Sequence, residues 1–146
     1  MSTNGTLLEK ASIITTPTAY ETGKLLNIKP LQTLGAELVQ NGDFATDSDW
    51  SLGTGWSIVN GKLISDGSNT SFSNAQQSNA TVVGNKYQLT LTVEAISGAV
   101  EFKGSNVYTR IDTLGVGTHN FVFVADAHYF RFLVHSGSTA TIDNVS

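Results

Sequence analysis

The clearest periodicity along this chain has a period of two. In residues 87–94, YQLTLTVE, the side chains of Tyr87, Leu89, Leu91 and Val93 fall on one side and those of Gln88, Thr90, Thr92 and Glu94 on the other. That is the pattern of a strand with one buried face. Residues 56–64, WSIVNGKLI, place Asn60-Gly61 between two short apolar runs. Both residues accept positive φ, so the stretch predicts a hairpin closed by a type I′ turn. Residues 121–125, FVFVA, and 129–134, YFRFLV, are apolar on both parities, which predicts central strands buried on both faces or nearly so. Further strands are expected at 98–103 and 107–111, before a turn through Gly115-Val116-Gly117. Residues 37–39 begin a strand that Asn41-Gly42-Asp43 turns, and 140–146 close the chain on an alternating strand. The Ser/Asn/Gln-rich segment 66–79, with Phe72 as its one aromatic, holds a short strand between loops. Eight or nine short strands at this spacing predict an all-β, jelly-roll β-sandwich over residues 37–146.

Residues 1–36 follow a different pattern. The first six are small and polar, and residues 7–30 carry two apolar clusters, Ile13-Ile14 and Leu25-Leu26-Ile28, separated by Pro17, Tyr20 and Gly23. Proline biases the residue before it toward extended geometry and glycine suits a turn, so the segment reads as extended arm, turn, extended arm. It is too apolar for a free tail. The expectation is an N-terminal arm that docks on a neighbouring subunit or another protein through Ile13, Ile14, Pro17, Tyr20 and Leu25, with 31–36 as linker.

Composition narrows the function classes. Charged residues are 14% of the chain and the formal net charge is −4, with no cluster of Lys and Arg. Phosphate-backbone affinity needs such a cluster, so no nucleic-acid partner is expected. There is no cysteine, which excludes disulfides and thiolate metal sites. No run of about 18 apolar residues suggests membrane insertion, and no leader of signal-peptide type opens the chain. Catalysis finds little support either. The acids are scattered mainly through turns, with Asp47 and Asp49 close together in one loop, whereas glycoside hydrolysis needs two carboxylates at controlled separation. His119 and His128 fall at strand edges and His135 sits alone on a strand face, which assembles no nucleophile, base and acid.

Two stretches resemble known families. Residues 38–44 (LVQNGDF), Trp50, 55–58 (GWSI), 87–93 (YQLTLTV), 117–121 (GTHNF) and 142–145 (IDNV) resemble, in order and spacing, the galactose-binding-like jelly rolls of carbohydrate-binding-module type. Residues 13–25, IITTPTAYETGKL, resemble a leader at the start of fibre and other structural proteins of tailed bacteriophages. Together these imply a non-enzymatic virion protein, of head or tail fibre or capsid decoration. It would be assembled in the host cytoplasm, dock on capsid or tail proteins and display a module to a host-surface glycan. A ligand-free decoration protein and the binding module of a polysaccharide-degrading enzyme are the alternatives, and self-association and a native chain running past Ser146 stay open.

The resemblance also implies site residues. Many modules of this type hold a structural calcium between first and last strands, and hard cations take several oxygen ligands. Here Asn41, Asp43 and Asp143 match those positions, while the residue after Phe44, often Glu in the family, is Ala45. The plain alternative is that Asn41 and Asp43 hold a turn by side-chain to backbone bonds. Trp50 and Trp56 occupy positions that pack the core in that family. The glycan candidates are therefore polar-parity residues on strands: Gln88, Tyr108, Arg110, Tyr129, Arg131 and His135. Their plain alternative is an ordinary surface ion pair, Glu94 or Glu101 with Arg110 or Arg131.

Overall fold

The computed structural model describes residues 34–104 and 112–146, together with the short pairs Tyr20–Glu21 and Lys24–Leu25. The chain divides into two units, Met1–Gly35 and Ala36–Ser146. In the first, β1 (Tyr20–Glu21) and β2 (Lys24–Leu25) pair antiparallel, Tyr20 opposite Leu25. Ile13, Ile14 and Pro17 lie outside the described residues, as do Tyr108 and Arg110.

The second unit is built from β3 (Ser51–Leu52), β4 (Trp56–Val59), β5 (Lys62–Asp66), β6 (Ser73–Ser78), β7 (Lys86–Ser97), β8 (Val100–Lys103), β9 (Asp112–Thr113), β10 (Gly117–Val124), β11 (Tyr129–Val134) and β12 (Thr139–Asp143). They form two five-stranded sheets, β10-β7-β12-β5-β4 and β3-β6-β11-β8-β9, in which every pairing is antiparallel. This is an all-β sandwich of jelly-roll type, without helix among the described residues. We refer to the two layers as the β7 sheet and the β11 sheet.

Local chemistry explains the elements. The hairpin β4–β5 turns at Asn60 and Gly61, with φ of 52° and 70°, as a type I′ turn requires. On β7, Leu89, Leu91 and Val93 are buried and Tyr87 half-buried, while Gln88 and Glu94 are exposed. Opposite Thr141, β7 carries one residue too many, because Ile142 pairs with Val93 but Thr141 with Ala95. Such a bulge keeps both flanking inner positions facing the core, here Val93 and Ile96 opposite Ile142 and Ala140.

Aromatic side chains fill the space between the layers. Phe102, fully buried on β8, lies 5.1 Å from Phe121 and 5.5 Å from Phe123 of the β7 sheet, and 5.8 Å from Phe132 of its own sheet, between ring centroids. Trp50 packs on Phe44, Phe130 and Phe132. Trp50 and Trp56 are 9% and 6% exposed, which places both in the core as expected and removes them as sugar platforms.

Two strand expectations need correction. Residues 37–39 form no strand, because the Glu37 carboxylate takes the backbone N–H groups of Leu38 and Val39 at 2.9 and 2.7 Å. Those donors are diverted from any ladder. The run 121–125 belongs to β10, an edge strand rather than a central one, and its outward Val122 and Val124 are 56% and 61% exposed. The run 129–134 is central, as predicted: β11 lies between β6 and β8, and even its outward Leu133 is buried.

Candidate functional site

Alternation along β11 sends Phe130, Phe132 and Val134 inward, and Tyr129, Arg131 and Leu133 outward, with His135 just beyond the strand end. The register then fixes their neighbours. Tyr129 stands opposite Ser78, and Arg131 between Gln76 of β6 and Lys103 of β8. Leu133 lies between Asn74 and Glu101. The outer face of the β11 sheet therefore gathers Tyr129, Arg131 and His135 with Gln76, Asn74, Glu101 and Lys103.

Glu101 anchors one end. Its Oε1 lies 3.2 Å from His135 Nε2 and its Oε2 3.3 Å from Lys103 Nζ. Burial pushes its carboxyl pKa up, but the bonds from His135 and Lys103 outweigh burial and leave it below the ordinary carboxyl value. Phe72, 66% exposed, meets the His135 ring edge-on at 4.7 Å. At the other end the Arg131 guanidinium lies 5.5 Å from the Tyr129 ring centroid, within cation–π range. Arg131 Nε is buried with no hydrogen-bond partner. Gln76 Nε2 donates to Ser78 Oγ at 3.1 Å.

The other sequence-derived candidates lie elsewhere. Gln88 is on the β7 sheet, opposite Val122, and so on the far side of the sandwich from Arg131. The expected ion pairs between Glu94 or Glu101 and Arg131 do not form. Glu94 pairs instead with Lys62 at 2.6 Å, and Glu101 with Lys103 and His135. Phe72, Gln76 and Lys103 were not singled out as binding residues. Their signal was an isolated aromatic in a polar segment and the alternation of residues 73–78, neither of which names a partner strand.

The calcium expectation meets a poor donor set. Asn41 Nδ2 donates to the carbonyls of Thr46 and Ser48 at 2.6 and 3.0 Å, and Asn41 Oδ1 accepts from Thr46 N. The Asn41 carbonyl takes Phe44 N and Trp50 Nε1, the Gly42 carbonyl takes Val145 N, and Asp43 Oδ1 faces Ala45 N. Asp143 sits on the outer face of the β7 sheet, with Oδ2 2.6 Å from Lys62 Nζ and Oδ1 accepting from Asn144 N. Calcium needs oxygens that are free to turn toward it. Here Asn41 Oδ1, the Asn41 and Gly42 carbonyls and Asp43 Oδ1 accept N–H groups, and an ammonium holds Asp143 Oδ2. No group of three or more His, Asp or Glu side chains suited to a metal occurs among the described residues. In this arrangement Asn41 and Asp43 hold a turn, and Asp143 pairs with Lys62.

No family model and no curated protein matches the chain. Among solved structures, CBM29_1, a family 29 carbohydrate-binding module from Piromyces equi, is similar: 18% identical, over 65% of this chain and 79% of that one, with a TM-score of 0.32. A likeness this loose leaves the site to be judged on its own geometry.

Proposed function

We propose that residues 36–146 form a non-catalytic saccharide-binding module that takes a glycan along the outer face of the β11 sheet. One observation carries the reading: the rings of Tyr129 and Phe72 lie toward opposite ends of a row that has the planar polar groups of Arg131 and Gln76 between them and His135 beside Phe72. A sugar chain offers apolar C–H faces and hydroxyl edges, and rings suit the first as planar polar groups suit the second. From Tyr129 to His135 the row spans about 20 Å at about 3.3 Å per residue, room for several sugar units.

Binding rather than hydrolysis is supported by Glu101. A general acid for glycoside cleavage needs a raised pKa and a second carboxylate across the bond. Glu101 titrates low and is tied to Lys103 and His135. The wider setting we propose is a phage virion protein of head or tail, displaying the module in many copies so that weak contacts add by avidity. That setting rests on the resemblance of residues 13–25 and is independent of the site. Mass spectrometry of purified particles tests it.

The site itself is tested by affinity electrophoresis and calorimetry of the full chain against a panel of polysaccharides. Tyr129→Ala and Phe72→Ala are expected to weaken retention, and Gln88→Ala, on the opposite sheet, to leave it unchanged. If no glycan is retained at millimolar concentration, the module is a decoration without a saccharide ligand.

A further inference from the structure

Resting on that reading of the site, we infer that the saccharide it takes is acidic, and that Arg131 receives a sugar carboxylate. The charge inventory of the face leads there. Arg131 and Lys103 are direct cross-strand partners on β11 and β8, an arrangement that repels unless negative charge is supplied. Glu101 supplies it for Lys103 and is shared with His135. Arg131 has no ion pair with any described carboxylate, and its Nε is buried without a hydrogen-bond partner.

The contrast with Lys62 sharpens the point. That side chain, on the opposite outer face, is given two carboxylates, Glu94 and Asp143, each at 2.6 Å. In a chain of net charge −4, carboxylates are in good supply, yet the sandwich leaves its one described arginine without one. A guanidinium without a carboxylate partner is open to one from a ligand, and its planar fork matches a carboxylate edge with two parallel bonds. The Tyr129 ring beside it steadies the fork and offers a face on which the same sugar can lie. Gln76, opposite Arg131, is in reach of neighbouring hydroxyls.

A neutral glycan would satisfy the rings and Gln76 but leave the Arg131 guanidinium without a counter-charge. A uronate or sialate residue supplies all three. Sulfated saccharides share the charge but not the planar two-oxygen edge, so they form a separate arm of the test.

The experiment is calorimetry of the full chain against uronate polymers and sialylated glycans, each beside its carboxyl-reduced counterpart, with sulfated and neutral polysaccharides as further arms. At least one carboxylate-bearing glycan is expected to bind, and to lose tenfold or more on carboxyl reduction. Arg131→Gln should lose as much, Arg131→Lys less, and Lys86→Gln, exposed on the β7 sheet, nothing. Melting curves of both Arg131 variants establish that they are folded. If neutral or reduced glycans bind as well as acidic ones and Arg131→Gln is indifferent, the acidic assignment falls while the binding module stands. Binding of sulfated but not carboxylated glycans also overturns it. If no saccharide of any class binds, the module reading falls with it.

Discussion

The two outer faces of the sandwich are made by the same strand alternation and come out chemically opposite. On the β7 sheet many outward positions hold short side chains, among them Thr90, Thr92, Thr118, Asn120, Thr139 and Thr141, and the half-buried Lys62 there is held by Glu94 and Asp143. On the β11 sheet they hold Tyr129, Arg131, Lys103, Glu101 and Gln76, with Phe72 and His135 at the end of the row. One face is built largely from short side chains, and Lys62 on it is satisfied internally. The other carries larger planar groups and a guanidinium with no ion pair to any described carboxylate. Regular alternation decides only that polar groups face out; whether they face out already satisfied decides whether a surface can recognise anything.

The largest expected effect breaks both faces at once. Phe102 is fully buried and joins the layers through Phe121 and Phe123, with Phe132 of its own sheet beside it. Phe102→Ala leaves a cavity the two sheets cannot easily close, so chemical denaturation should show a loss of about 3–5 kcal/mol. A loss below about 1 kcal/mol would mean that the layers are not held through this ring.

The next test separates the faces by pH. Glu101 has a folded pKa below its ordinary value. Its stabilisation is therefore fully present above the unfolded carboxyl range and is lost as pH falls through the depressed folded value. Glu101→Gln should cost about 2 kcal/mol at neutral pH, the scale of hydrogen bonds to a charged group. The gap from the parent should close on acidification past the carboxyl range. A gap independent of pH would show that shape, not charge, holds His135 and Lys103. Somewhat smaller is the expected effect on binding alone: Tyr129→Ala should weaken the tightest glycan about tenfold, or about 1.4 kcal/mol, with little change in melting, while Thr92→Ala on the other face changes neither.

How much of this was legible in the sequence follows from what each signal encodes. Asn60-Gly61 announced its hairpin because the turn needs two positive φ values at adjacent residues. Tyr129, Arg131 and His135 fall on one face because parity along one strand is local. Parity cannot say which sheet a strand joins, so Gln88 faces outward as its parity predicts, but on the sheet opposite Arg131. Nor can it tell an edge strand from a central one, as Val122 and Val124 on β10 show. Ion pairs were the least legible, since Lys62 meets Asp143 across 81 residues and His135 meets Glu101 across 34. Such pairs follow from register between distant strands, and Gln76 and Phe72 entered the site by the same route.

The smallest expected effect concerns the quiet face, and it is the most discriminating for calcium. Lys62 has its pKa raised by the bonds it donates to Asp143 and then Glu94, so what it contributes is present below its ordinary titration range and lost only in strong alkali. Exposed pairs of this kind are worth little and are screened by salt. Lys62→Met should therefore lower the melting temperature less than Phe102→Ala or Glu101→Gln, and the drop should shrink at high ionic strength. If the oxygens around Asn41, Asp43 and Asp143 are committed to N–H groups and to the Lys62 ammonium, as their contacts indicate, neither millimolar calcium nor a chelator should move the melting temperature of the unmodified chain. A calcium-dependent rise there would mean that those oxygens release their donors for a metal, and that the ammonium of Lys62 does not take the place of a cation on this face.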